Sequence, residues 1–272
     1  MTDYKTLLVT QDGPIVEVLL NRPEARNALT FELEHEFNTV LDEAQDNPEV
    51  RVVTVRGVGP VFSAGHDLKE VAVGYSTEGK PSGAPSHKVP QLPRPWYFRK
   101  ALIGGLHGFV GPAAQHLIGS FDFLIAAEGT RFSFEQTRSA GGGAGGTIIA
   151  FQMPMRALKK LYMLGGWFDA DTALKWDYVQ RVVAPSEVEA ETRRWAQQLA
   201  LIPPEQIASA KEGVHRIYEL MGLLNVVGVG NKVSGHSGNK QDKSFFEMVQ
   251  EKGLKEALRF RDAMFEQEVA KI

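Results

Sequence analysis

The sequence predicts an α/β fold in which short buried strands alternate with helices, closed by a last third that is mostly helical. Three observations carry that prediction. The apolar-rich runs Ile15–Leu20, Val52–Val55 and Leu102–Leu106 read as strands, the last of them flanked by glycine as a buried parallel strand should be. Between the first two, Phe31, Leu33, Phe37, Val40, Leu41 and Ala44 recur at helical spacing, so strand, helix and strand imply a right-handed crossover and a partly parallel sheet. From Glu187 onward the patterns are helical. A chain of 272 residues, 43% hydrophobic and 23% charged, suits one large core with a helical extension. The division expected is a core over residues 1–200 and a helical C-terminal region over 201–272.

In order, Thr6–Thr10 and Ile15–Leu20 form a β-hairpin around Asp12-Gly13, and Pro23 stops its second strand. Thr30 is placed to cap a helix running to about Gln45, which Asp46-Asn47-Pro48 ends. Ser63, Ala64 and Gly65 are small enough to admit a ligand or another backbone, and Asp67 suits the start of the helix that follows. Tyr75 to Pro95 carries five prolines and reads either as a surface loop or as a lid anchored by Trp96, Tyr97 and Phe98. Thr147–Leu164 reads as one helix kinked at Pro154, Ala170–Trp176 as a short helix, and Val179–Val183 as a strand or turn. Helices then cover Glu187–Leu201 and Glu205–Leu220, with one or two more over Phe245–Val269.

A net charge of −3 offers nothing to nucleic acid or an anionic membrane surface. The absence of cysteine rules out disulfides, thiolate catalysis and cysteine metal sites, and suits a reducing cytosol. The polar start MTDYKTLL has no secretory character, and no apolar run approaches a membrane span. A soluble, cytoplasmic protein is expected.

The stretch from Lys100 to Gly146 organises the rest. Gly108 and Gly111 let the chain turn after the buried strand, and Pro112 stands at the first position of a helix, where its missing N–H costs nothing. The N–H groups from Ala113 on then point out of a helix start and can hold a developing negative charge. A strand pair, Phe123–Ala127 and Arg131–Phe134, leads into Glu135, the only carboxylate between Gly129 and Gly146.

Four segments in order, LNRPEARNAL (Leu20–Leu29), FSAGHDLKE (Phe62–Glu70), HGFVGPAAQH (His107–His116) and GGGAGG (Gly141–Gly146), resemble the crotonase superfamily, the enoyl-CoA hydratase/isomerase family. GLKEALRFRDAMF (Gly253–Phe265) resembles its closing helix. The resemblance implies a spiral of ββα units and a C-terminal region that assembles a homotrimer or a dimer of trimers. It implies an acyl-CoA substrate of fatty acid metabolism, with CoA carried as part of the substrate and no separate cofactor. It also implies an oxyanion hole from the backbone N–H groups of His66 and Ala113. The pantetheine and adenine are expected between Arg26–Ala28 and Ala64–Leu68, touching Arg26, Ala28, Ala64, Asp67 and Leu68.

The departures are specific. Of the two family glutamates that hold water, the second matches Glu135, one residue short of the usual spacing from Phe132, and the first falls on His116. The family's Gly-Gly-Gly is here Pro112-Ala113-Ala114. These changes weigh against a two-glutamate hydration mechanism and favour proton transfer by Glu135 with His116 as partner, as in family isomerases. His116 reads equally as a packed residue, and Glu135 as a cap of the Gly-rich helix entry. His66 is expected to act through its backbone, His107 to be structural and His236 solvated. The alternatives are a β-diketone C–C hydrolase of the same superfamily and an acyl-CoA binder without catalysis.

Overall fold

The computed structural model describes residues 3–71, 92–138, 148–226, 240–263, 265 and 267–272. The Gly141–Gly146 motif, His236 and all but the end of the Pro-rich segment lie outside the described residues.

Strands β1 (Leu7–Asp12) and β2 (Ile15–Leu20) form the expected hairpin, in register from Leu7 opposite Leu20 to Asp12 opposite Ile15. Helix α1 (Phe31–Asp46) follows, its N-terminus capped by Thr30 Oγ1, which accepts from the Leu33 N–H at 3.2 Å. The chain returns through β3 (Val52–Gly57), parallel to β2, and later β4 (Ala101–Leu106), parallel to β3. Next come β5 (Phe109–Val110), α2 (Pro112–Ile118), β6 (Phe123–Ala127) and β7 (Arg131–Ser133). Helix α3 (Met155–Leu164), β8 (Trp167–Asp169), α4 (Ala170–Lys175) and β9 (Arg181–Val183) complete the strands. The large sheet has the order β1-β2-β3-β4-β6-β9, and β5-β7-β8 form a smaller one. The chain alternates between the sheets, β4 to β5 to α2 and then β6 to β7, which is the expected ββα repeat.

Every residue of β4 is buried because the large sheet is covered on both faces. Leu102 and Leu106 join Val53, Val55, Phe62 and the α1 residues Leu33, Phe37 and Leu41 on one side. Ala101 and Ile103 pack with Val52, Ile125 and the α5 (Val188–Leu199) residues Val188 and Ala196 on the other. Burying each large side chain contributes about 1.5–3 kcal/mol, so this double layer fixes where the turn after β4 emerges. Helices α6 (Pro204–Leu220), α7 (Lys240–Lys252), α8 (Leu254–Asp262) and the short α9 (Gln267–Ala270) make the helical last third.

Two expectations need correction. The strands at 123–127 and 131–134 do not pair with each other. Both edges of β6 are taken, by β4 and β9, so β7 joins β5 and β8 in the small sheet. The helix expected across Thr147–Leu164 is two elements, a 3-10 turn at Ile148–Phe151 and α3, with Pro154 as the α3 N-cap at ψ 132°. Proline lacks the N–H that a continuous helix would need there, so it ends up at a boundary rather than a kink. At the end of the Pro-rich segment, Trp96 and Phe98 are buried, and Trp96 stacks on His215 of α6 at 3.6 Å, whereas Tyr97 is exposed.

Candidate active site

One side of the site is a double loop. Arg26 and Asn27 both take left-handed backbone conformations (φ 53° and 52°), which Asn tolerates better than most residues. The Asn27 side chain is fully buried: Oδ1 accepts from the Arg22 N–H at 2.9 Å, and Nδ2 donates to the Val58 and Val61 carbonyls at 2.8 and 3.0 Å. Ser63 Oγ donates to the Asn27 carbonyl at 2.7 Å, and the Ala64 N–H to the Arg26 carbonyl at 2.9 Å. The Leu29 N–H reaches Gly65 O at 2.8 Å, and the Asp67 N–H reaches Leu29 O at 2.9 Å. Arg22 closes the pair, donating to Ala28 O at 2.6 Å and lying 3.2 Å from the Asp67 carboxylate. Arg26, Ala28, Ala64 and Asp67, expected on sequence to touch CoA, are thus brought together, whereas Leu68 packs against the C-terminal Phe245, Phe246 and Val249. Asp67 Oδ1 also accepts from the Lys69 N–H at 3.1 Å, as expected at a helix start. Asn27 and Arg22 were not singled out in the sequence, although an Asn just before a buried Ala-Leu pair is a usable sign of a left-handed turn.

This loop meets the start of α2 backbone to backbone. The Gly111 N–H donates to Ser63 O at 2.8 Å. A Cβ on Gly111 would stand 2.0 Å from the Ala64 carbonyl oxygen, and one on Gly65 (φ +90°) 3.2 Å from the Ala113 nitrogen. Only glycine permits this approach. The His66 and Ala113 N–H groups flank the contact, and neither has an acceptor among the described residues.

One turn further along α2 stands His116, half-buried, spaced from Ala113 so that both lie on one helix face. Burial, with a smaller push from His66, holds its pKa down to about 4, so the imidazole is neutral at pH 7. Beside it, fully buried Gln115 accepts from Tyr178 Oη at 2.7 Å and donates to Val110 O at 3.2 Å, which fixes the rotation of α2. The His66 side chain is 60% exposed, with Nδ1 4.0 Å from Glu34. Partial withdrawal from water lowers its pKa, against the opposing pull of Glu70. His107 is structural as read, its Nε2 bonded to Gly59 O at 2.9 Å.

Glu135 opens a 3-10 turn over Glu135–Arg138 directly after β7. Its place after a strand and before a Gly-rich helix entry predicts that it projects into a water-poor cavity beside the α2 turn. Its carboxylate is instead ion-paired with Arg131 of β7 and lies 3.6 Å from Arg261 of α8. The Arg131 partner is visible in sequence as an i,i+4 pair; Arg261 is brought in only by the folding back of α8. Among the described residues no three His, Cys, Asp or Glu side chains converge as a metal site. A separate cavity of 540 Å³ lies past the other end of α2, between Trp96, Phe151 and the α6 residues Lys211, His215 and Tyr218, and none of the predicted site residues lines it.

Comparison with known proteins bears on what this geometry serves. The model of the enoyl-CoA hydratase/isomerase family matches residues 10–267. The chain is 30% identical over 214 residues to carnitinyl-CoA dehydratases of Salmonella heidelberg and Salmonella typhimurium, covering 76% of this chain and 79% of theirs. An enoyl-CoA hydratase/isomerase from Xanthobacter autotrophicus Py2 superposes with a TM-score of 0.84 at 28% identity, over 97% of this chain and 100% of that one. A Mycobacterium smegmatis enoyl-CoA hydratase shares the fold at 21% identity, with a TM-score of 0.83 over 99% of this chain and 97% of that one.

Proposed function

Because the chain belongs to the enoyl-CoA hydratase/isomerase family, we propose that it acts on an acyl-CoA thioester whose carbonyl oxygen accepts from the His66 and Ala113 N–H groups. The observation that carries this reading is the pair of N–H groups that have no acceptor among the described residues and lie at the two sides of the Gly65–Gly111 contact. Charge that gathers on the thioester oxygen as a proton leaves or reaches the neighbouring carbon is stabilised there, in a fixed geometry that needs no rearrangement. The Glu135 carboxylate takes and returns the proton, with neutral His116 as its partner. In hydration, Glu135 takes a proton from water as the water oxygen bonds to the β-carbon and returns it to the α-carbon, while His116 holds the water. Double-bond isomerisation needs only removal and return of a proton. The dehydratase relatives favour the first, run in either direction. CoA lies along Arg26–Ala28 and Ala64–Leu68 and is the only carrier the reaction needs.

Residues 1–200 hold this site, and residues 201–272 mediate assembly into a homotrimer or a dimer of trimers. The assembly reading is supported by the exposed Val214, Ile217, Leu220 and Met221 on and just after α6. Isothermal titration should detect CoA and acyl-CoA binding, the same sample should scatter as three or six copies, and crotonyl-CoA should be turned over. Failure to bind any CoA ester would remove the reading. The pairing of His66 and His116 near one turn favours as second reading a β-diketone C–C hydrolase, which would cleave its diketone without CoA. Tight CoA binding with no thioester turned over would mark a binder without catalysis.

A further inference from the structure

The C-terminal helices fold back onto their own chain at two places. On α7 and α8, Phe245, Phe246, Val249 and Ala257 make a buried cluster that takes in Leu68 and Val71, immediately after the double loop. At the far end of α8, Arg261 and Asp262 interlock with the turn that begins at Glu135. Arg261 lies 3.6 Å from the Glu135 carboxylate and 2.8 Å from Asp262, and Asp262 lies 3.5 Å from Arg138. The Arg138 guanidinium also stacks over the Phe265 ring at 4.4 Å. Two residues of the turn and two of the helix therefore form one alternating chain of charges. It is largely withdrawn from water: the side chains of Arg261, Glu135 and Arg138 are 10%, 12% and 1% exposed.

A buried carboxylate has few ways to stay in one place. Glu135 has three rotatable bonds, and Arg131 pairs with its Oε1. Arg261 approaches the other, Oε2. The carboxylate is thus bracketed by positive charge from two elements, by the Arg131 ion pair and by Arg261 at 3.6 Å, and restricting a proton-transfer group in this way lowers the cost of orienting it during the reaction.

We propose that Arg261 is a positioning residue: from α8 it fixes the Glu135 carboxylate for proton transfer, so the site is complete only when the C-terminal helices are docked on the core of the same chain. This rests on the reading of Glu135 as a proton-transfer group, and the test separates the two. The variants are Arg261→Met, Arg261→Lys, Glu135→Gln and the Arg261→Met/Glu135→Gln pair, assayed on crotonyl-CoA, with melting temperature recorded for each. Arg261→Met should lower kcat about tenfold, a common size for a directly coupled contact, with KM within about twofold because Arg261 does not hold CoA. Arg261→Lys should recover most of the loss. In the Glu135→Gln background, Arg261→Met should cost nothing further. An equal loss in both backgrounds, a loss carried by KM alone, or no loss at all would overturn the proposal. Where Arg261→Met does not fold, Arg261→Gln alone and in the Glu135→Gln background gives the same comparison. If Glu135→Gln itself turns over like the wild type, the reading of Glu135 fails, and the proposal fails with it.

Discussion

The two sides of the site are built by different means. The side that holds the His66 and Ala113 N–H groups is backbone packed on backbone, with Gly65 and Gly111 leaving no room for a Cβ and with hydrogen bonds running between adjacent loops. The side that holds Glu135 is made of long charged side chains drawn from β7 and α8. The first cannot be adjusted in small steps, because a Cβ on Gly111 meets the Ala64 carbonyl and one on Gly65 crowds the Pro112 and Ala113 nitrogens. The second is electrostatic and gives way gradually, because guanidinium groups can shift by a fraction of an ångström and be replaced by lysine. On the proposed mechanism, the first side sets position and the second carries the proton-transfer group.

The largest expected effect tests the second side. Glu135→Gln keeps the shape and removes the exchangeable charge, so turnover should fall by about 10²–10⁴-fold with normal folding. His116→Ala on the same substrate should match that loss if the imidazole is the other proton-transfer group, and fall short of it if it only orients water. Near wild-type turnover by Glu135→Gln would make Glu135 a structural residue.

Gly111→Ala tests the first side. Its methyl group would overlap the Ala64 carbonyl, 2.0 Å away, and force the two loops apart. The N–H pair then loses its spacing, which should cost about 10²–10³-fold in kcat. It should also lower stability, by about 1–3 kcal/mol as overpacking does, read as a fall in melting temperature. A Gly111→Ala enzyme with unaltered kcat would show that the backbone contact does not position the donors.

The smallest effect is one of pH and separates the sides by their charge. His116 is held down to about 4 from an ordinary 6.5 by burial, with His66 adding to it. Above pH 6.5 it is neutral in both folded and unfolded chains, and its contribution to stability is intact. Below 6.5 the unfolded chain takes up a proton that the folded chain refuses, and stability falls progressively until about pH 4, by up to roughly 3 kcal/mol. His215, also held down to about 4 by burial and by Lys211, acts in the same direction. Asp122, whose carboxyl burial pushes up, acts against them. Melting temperature followed from pH 7 to 4 should therefore drop, and drop less in His116→Gln. Equal slopes in the two proteins would mean that the imidazole is not buried as described.

The sequence by itself determined the α/β class, the hairpin, α1 with its Thr30 cap, β4 and the Pro112 start of α2, because these follow from local periodicity and from the backbone preferences of proline and glycine. It also brought the right small residues into view for the double loop, through the likeness of LNRPEARNAL and FSAGHDLKE to one family. The break at Pro154 was misjudged as a kink, because the choice between bending and ending a helix depends on what the next segment packs against. Only the tertiary structure decided which sheet Arg131–Ser133 enters, since that turns on β6 already having a partner on each edge. It alone decided the surroundings of Glu135 as well. A single carboxylate in a Gly-rich stretch reads as isolated, and the second guanidinium beside it comes from α8, near the far end of the chain, through a fold-back that no local pattern encodes.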